Sequence, residues 1–129
     1  MQKIIVLLLL LLPATLVYSQ PAGCSAFREG KFRIADATAG GITLIERNDK
    51  YQIESNEESK ITIRLLVTWL DECSYELKFD KFLKNENNIE VPKVTMLVKI
   101  IETRKESYIQ ETTSPLFAGV YRSEVVKIK

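Results

Sequence analysis

The stretch ITIRLLVTWLDECSYELKF, residues 61–79, alternates with a period of two on both sides of one polar break. Ile61, Ile63, Leu65, Val67 and Trp69 fall on one face and Thr62, Arg64 and Thr68 on the other, with Leu66 and Leu70 as exceptions. Successive side chains of a strand point to opposite faces, so this pattern is that of a half-buried β-strand. After Asp71-Glu72, a dipeptide suited to a tight turn, Cys73, Tyr75, Leu77 and Phe79 share one face while Ser74, Glu76, Lys78 and Asp80 share the other. The two runs predict a β-hairpin with Trp69 and Tyr75 buried on the same side.

Working outward, Val94, Met96, Val98 and Ile100 repeat the alternation, and the half-apolar opposite face of Leu97, Lys99 and Ile101 suggests a strand covered on both sides. Weaker strand signals lie at residues 31–35, 42–47, 51–54, 107–113 and 121–128. Turn chemistry separates them at Asn48-Asp49, at residues 55–59 and at Arg104-Lys105-Glu106; residues 84–92 and 114–119 read as longer loops. About eight short strands, with no segment of helical period, predict an all-β antiparallel meander. An open sheet would leave unpaired edges, so the expected closure is a small barrel, with a half-barrel or sandwich as the other ways to bury the same face.

Residues 1–19 have the form of a signal peptide: Lys3 supplies the basic start, residues 4–17 the apolar run, and Val17 and Ser19 the small side chains before a cut at Gln20. The run is shorter than the roughly 20 residues of a membrane helix. Cleavage leaves residues 20–129 as one domain. It removes Lys3 alone of the 18 basic residues and none of the 17 acidic ones, so the net charge becomes zero. A neutral chain with interspersed signs lacks the basic face of a nucleic-acid binder.

Export would place Cys24 and Cys73 where disulfides persist, and pairing them would close a loop of about 50 residues, worth roughly 4 kcal/mol in the chain-entropy model. Against this stands Ala22-Gly23-Cys24, which matches the end of a bacterial lipobox and would make Cys24 a lipid attachment point. Only in that case would the protein be membrane-tethered.

Four pieces of the chain together resemble a family of small exported bacterial proteins of uncharacterised function: Cys24 to Phe27, Gly30 to Phe32, Arg47 with Gln52, and the block Trp69-x-x-x-Cys73-x-Tyr75-x-Leu77. The resemblance implies an exported protein, periplasmic or extracellular, or outer-membrane-anchored if Cys24 is lipidated, and carries no assigned reaction. Gly30-Lys31-Phe32 is also similar to the Gly-x-Trp that opens lipocalin-type barrels, with Phe in place of Trp.

The chain contains no histidine, which excludes Ser-His-Asp and Cys-His catalysis and histidine-ligated zinc. Nucleotide-binding glycine loops are absent as well. Glu46, Glu54, Asp71, Glu72 and Glu102 are the candidate acids for carboxylate catalysis, and they read first as solvated charges at strand ends. Residues 54–58 lack the spacing of a calcium loop and read as a polar turn. The expected function is a non-enzymatic binding module for a small apolar ligand or an envelope protein, without a cofactor; the alternative is an envelope-associated structural lipoprotein held through Cys24. Arg47, Gln52, Trp69 and Tyr75 are the candidate ligand-binding residues. Arg47 and Gln52 flank the Asn48-Asp49 turn, where they either pair across it or line a barrel mouth, and the hydroxyls of Tyr75 and Tyr108 need partners if buried.

Overall fold

The computed structural model describes residues 21–36 and 41–128. The segment read as a signal peptide lies outside them. After a short 3-10 turn at Cys24–Phe27 come eight strands: β1 Gly30–Asp36, β2 Gly41–Arg47, β3 Tyr51–Asn56, β4 Ile61–Asp71, β5 Ser74–Asn85, β6 Thr95–Thr103, β7 Ser107–Ser114 and β8 Phe117–Lys127. Each pairs antiparallel with its sequence neighbour, and β8 returns to β1 through Phe32↔Lys127 and Arg33↔Val126, closing an up-and-down barrel. This is the lipocalin-like architecture that the alternation predicts.

The decisive hairpin has the expected register. Leu65↔Phe79, Val67↔Leu77 and Trp69↔Tyr75 face inward, while Thr68↔Glu76 and Leu66↔Lys78 face out, so the exceptional Leu66 and Leu70 are exposed. The turn is held by Asp71, whose Oδ1 accepts from the Cys73 amide at 2.8 Å. Tyr75 is fully buried, whereas Trp69 is only half-buried, because it sits at the very end of the barrel.

Two boundaries differ from the sequence reading by more than two residues. The β5 strand runs to Asn85 because irregularities opposite Thr62/Ile63 and Arg64/Leu65 leave Leu83 and Asp80 of β5 outside the pairing and break its period without ending the ladder. The expected loop at 114–119 shrinks to Pro115-Leu116, and β8 starts at Phe117, paired with Ser114. Among the described residues no element packs on the outer face of β6; Leu97 and Ile101 are half-buried and Lys99 is exposed.

The topology gives the barrel two unlike ends. At one lie the 3-10 turn, the start of β1, the end of β8 and the β2–β3, β4–β5 and β6–β7 turns; at the other lie the remaining connections. Cys24 and Cys73 form a disulfide with Cα atoms 5.3 Å apart, tying the 3-10 turn to the β4–β5 turn and plugging the first end. A sulfur bonded to Cys73 cannot carry a thioether lipid, so the lipobox reading of Cys24 is set aside. Gly30 supports the same plug: its φ of 135° is open to glycine and strained for other residues, and it brings Phe32, with no exposed surface, under the turn.

Candidate functional site

The closed half of the barrel is organised around a buried charge. Arg47, at the end of β2, is 3% exposed, and its guanidinium makes four hydrogen bonds. Nε donates to Gln52 Oε1 at 2.7 Å, Nη1 to the Phe27 carbonyl at 2.8 Å, and Nη2 to the hydroxyls of Tyr75 at 3.0 Å and Tyr108 at 2.8 Å. Its plane also lies 4.9 Å from the Phe32 ring centroid and 4.7 Å from that of Tyr75. A planar cation with a fixed fork of donors suits such a site, where polar acceptors and aromatic faces replace water. Burial alone would lower the Arg47 pKa; the neighbouring Tyr75 and Tyr108 oxygens and the Glu54 carboxylate outweigh it, so the group is held above its ordinary range and stays charged.

Hydrogen-bond directions follow from this charge. Tyr75 lies 3.1 Å from Gln110 Oε1 and 3.2 Å from the Tyr108 hydroxyl. Both phenols accept from Arg47, so each has one proton to give: Tyr75 donates to Gln110 and Tyr108 to Tyr75. Gln110 Nε2 then donates to Ser123 Oγ at 3.2 Å. On the other side Gln52 Nε2 donates to Glu54 Oε1 at 2.7 Å. Two polar chains thus run from Arg47 toward the open end, one ending at Glu54 and the other at Ser123. Burial drives the Tyr75 hydroxyl well above its ordinary pKa, with Tyr108 adding to the rise and the Arg47 charge opposing it, so it remains a neutral donor.

Both chains end on the wall of a cavity of about 180 Å³ in the open half, to which seven of the eight strands contribute. Its polar wall includes Thr43, Gln52, Glu54, Gln110, Thr112 and Ser123, and Ile34, Ile45, Leu77, Met96 and Val98 make the apolar part. A second space of about 160 Å³ lies nearer the rim and shares Thr43 and Glu54 with the first. Val91, from the β5–β6 loop, forms part of its wall, and that loop is fastened by Asn87 Nδ2 donating to the Ser59 carbonyl at 3.1 Å.

Of the four residues singled out from sequence, Arg47, Gln52 and Tyr75 belong to one network, and Trp69 stacks on Tyr75 with centroids 4.5 Å apart. Arg47 and Gln52 pair across their hairpin, yet Gln52 alone of the four lines the cavity. Trp69 faces the plug, with the Arg28 guanidinium 4.9 Å above its ring and its own buried Nε1 without a partner among the described residues. Glu46, Asp71, Glu72 and Glu102 are exposed, as solvated charges should be. Glu54 is not one of them. It points inward, and burial pushes its carboxyl above the ordinary value, against the Gln52 hydrogen bond and the Arg47 charge. Gln110 and Ser123 escape a sequence reading because a lone amide or hydroxyl in a strand has no pattern of its own. Among the described residues no group of three His, Cys, Asp or Glu side chains is placed to hold a metal ion.

No family model, curated protein or solved structure matches the chain.

Proposed function

We propose that this protein is an exported, non-enzymatic binding module that holds a small, largely apolar molecule in the open half of its barrel. The observation that carries the reading is the cavity of about 180 Å³, apolar on one side and hydrogen-bonding on the other. Specific pockets have that composition, with a few placed polar groups among apolar walls. A space of about 150 Å³ lined by apolar side chains is enough for benzene, so the ligand is compact and not a long lipid. Export is supported by the leader-like residues 1–19 and by the Cys24–Cys73 disulfide, a bond that persists in oxidising compartments.

Native mass spectrometry of protein purified from its own host tests the proposal. A bound small molecule is expected, and Thr112→Trp, which fills the cavity from β7, should abolish it. An adduct that survives in Thr112→Trp, or no adduct in either protein, would overturn the lumen as the site. A second reading, an envelope-protein partner, draws on Ile42 and Leu44, 50% and 45% exposed on the outer face of β2. Crosslinking in the host that depends on these two residues and survives Thr112→Trp would favour it.

A further inference from the structure

We propose that the barrel selects a primary ammonium carried on a compact apolar body, with Glu54 as the group that recognises the charge. This rests on the lumen being the binding site. Among the described residues Glu54 is the only acidic or basic side chain lining either the inner cavity or the space above it, and it borders both. One carboxylate oxygen, Oε1, is taken by Gln52 at 2.7 Å; among the described residues no donor reaches the other. The nearest buried cation does not fill that place. Arg47 gives four of its five N–H donors to Gln52, Phe27, Tyr75 and Tyr108, and the Gln52 amide stands between it and Glu54.

The result is a half-buried carboxylate without a direct counter-ion among the described residues, one oxygen facing the junction of the two spaces. An ammonium group has three donors and no acceptor. Here Glu54 would take one, and the acceptor oxygens of Thr43, Thr112 and Ser123 line the same cavity. The apolar body would rest on Ile45, Leu77, Met96 and Val98. Anionic ligands would meet an uncompensated like charge, and neutral ones would keep a hydrogen bond to the carboxylate but forgo the attraction between opposite charges.

The probes are cyclohexylammonium and its near-isostere cyclohexanol, titrated into the full exported chain and followed by the Met96 methyl and Gln110 side-chain amide NMR signals. The ammonium should shift both signals at a concentration at least about tenfold lower than the alcohol. Glu54→Gln keeps an oxygen for Gln52 Nε2, so the fold and cyclohexanol binding should persist while the preference for the ammonium disappears. Equal binding of the two probes by the native protein, or an ammonium preference surviving in Glu54→Gln, would overturn the role of Glu54 and leave the lumen as the site. Silence of both signals toward both probes would overturn the lumen reading and this inference with it.

Discussion

The two ends of the barrel use polar residues in opposite ways. At the closed end Arg47 has four acceptors, two phenols have their protons placed, and a disulfide ties the 3-10 turn to the β4–β5 turn. At the open end Glu54 has one donor, and Gln110, Thr112 and Ser123 line a cavity instead of a packed interior. A satisfied buried network fixes one arrangement of the strands around it. An incompletely satisfied one stores a binding capacity at some expense of stability. On the proposed function the division puts rigidity in one half of a small barrel and recognition in the other, and substitutions at the two ends should behave accordingly.

The largest difference is expected at Arg47. Arg47→Ala leaves Gln52 Oε1, the Phe27 carbonyl and two phenolic oxygens without their donor inside the plug. Breaking a buried charged network in this way costs about 3–5 kcal/mol. Urea unfolding of this variant beside Thr112→Ala, at the open end, should give a loss of that size for the first and under about 1 kcal/mol for the second. Equal losses would erase the distinction between the ends.

A smaller effect separates Trp69 from the network it touches. Full burial would make Trp69→Ala cost about 3–5 kcal/mol. Trp69 is half-buried at the end of the barrel and carries a buried indole N–H without a partner among the described residues, so a loss of about 2–3 kcal/mol is expected. A loss as large as that of Arg47→Ala would mean that the Tyr75 ring depends on the indole for its position.

The closed end was the legible one. The hairpin that leads into it alternates through most of 61–79, and of the residues quoted for the resemblance Cys24, Phe27, Arg47, Gln52, Cys73 and Tyr75 lie in the plug or in the network beneath it, while Leu77 lines the cavity. The open end was hidden because β3 is inverted. Tyr51 and Ile53 look like its core face, yet Gln52 and Glu54 point inward while Tyr51 packs outside under Arg64, 4.5 Å from its ring. A hydrophobicity pattern assumes an apolar interior, and a polar lumen reverses its sign. The signal that could have exposed the inversion is the turn itself: Arg47↔Gln52 is a cross-strand pair, so an inward Arg47 carries Gln52 and, two residues on, Glu54 to the same face.

The smallest expected effect has the opposite sign and concerns Glu54. Burial raises its carboxyl above the ordinary value of 4.5, more than the Gln52 hydrogen bond and the Arg47 charge lower it. An acid so raised keeps its proton in the folded protein at a pH where the unfolded chain has already released it. Folding then takes up a proton, and stability falls as pH climbs from the ordinary value through the folded one. Above that window the penalty is complete; below 4.5 it is gone. Glu54→Gln removes the titration and keeps the acceptor for Gln52, so thermal melts should show the variant equal to the native protein in acid and more stable at neutral pH. The gain should be the smallest of the three changes, read as a rise in Tm at neutral pH that is absent in acid. A variant less stable than the native protein at neutral pH would show that the carboxylate serves Arg47 as a counter-ion through Gln52. In that event the open end would belong to the scaffold of the closed one, and the separation of rigidity from recognition would fail at the residue where the two halves meet.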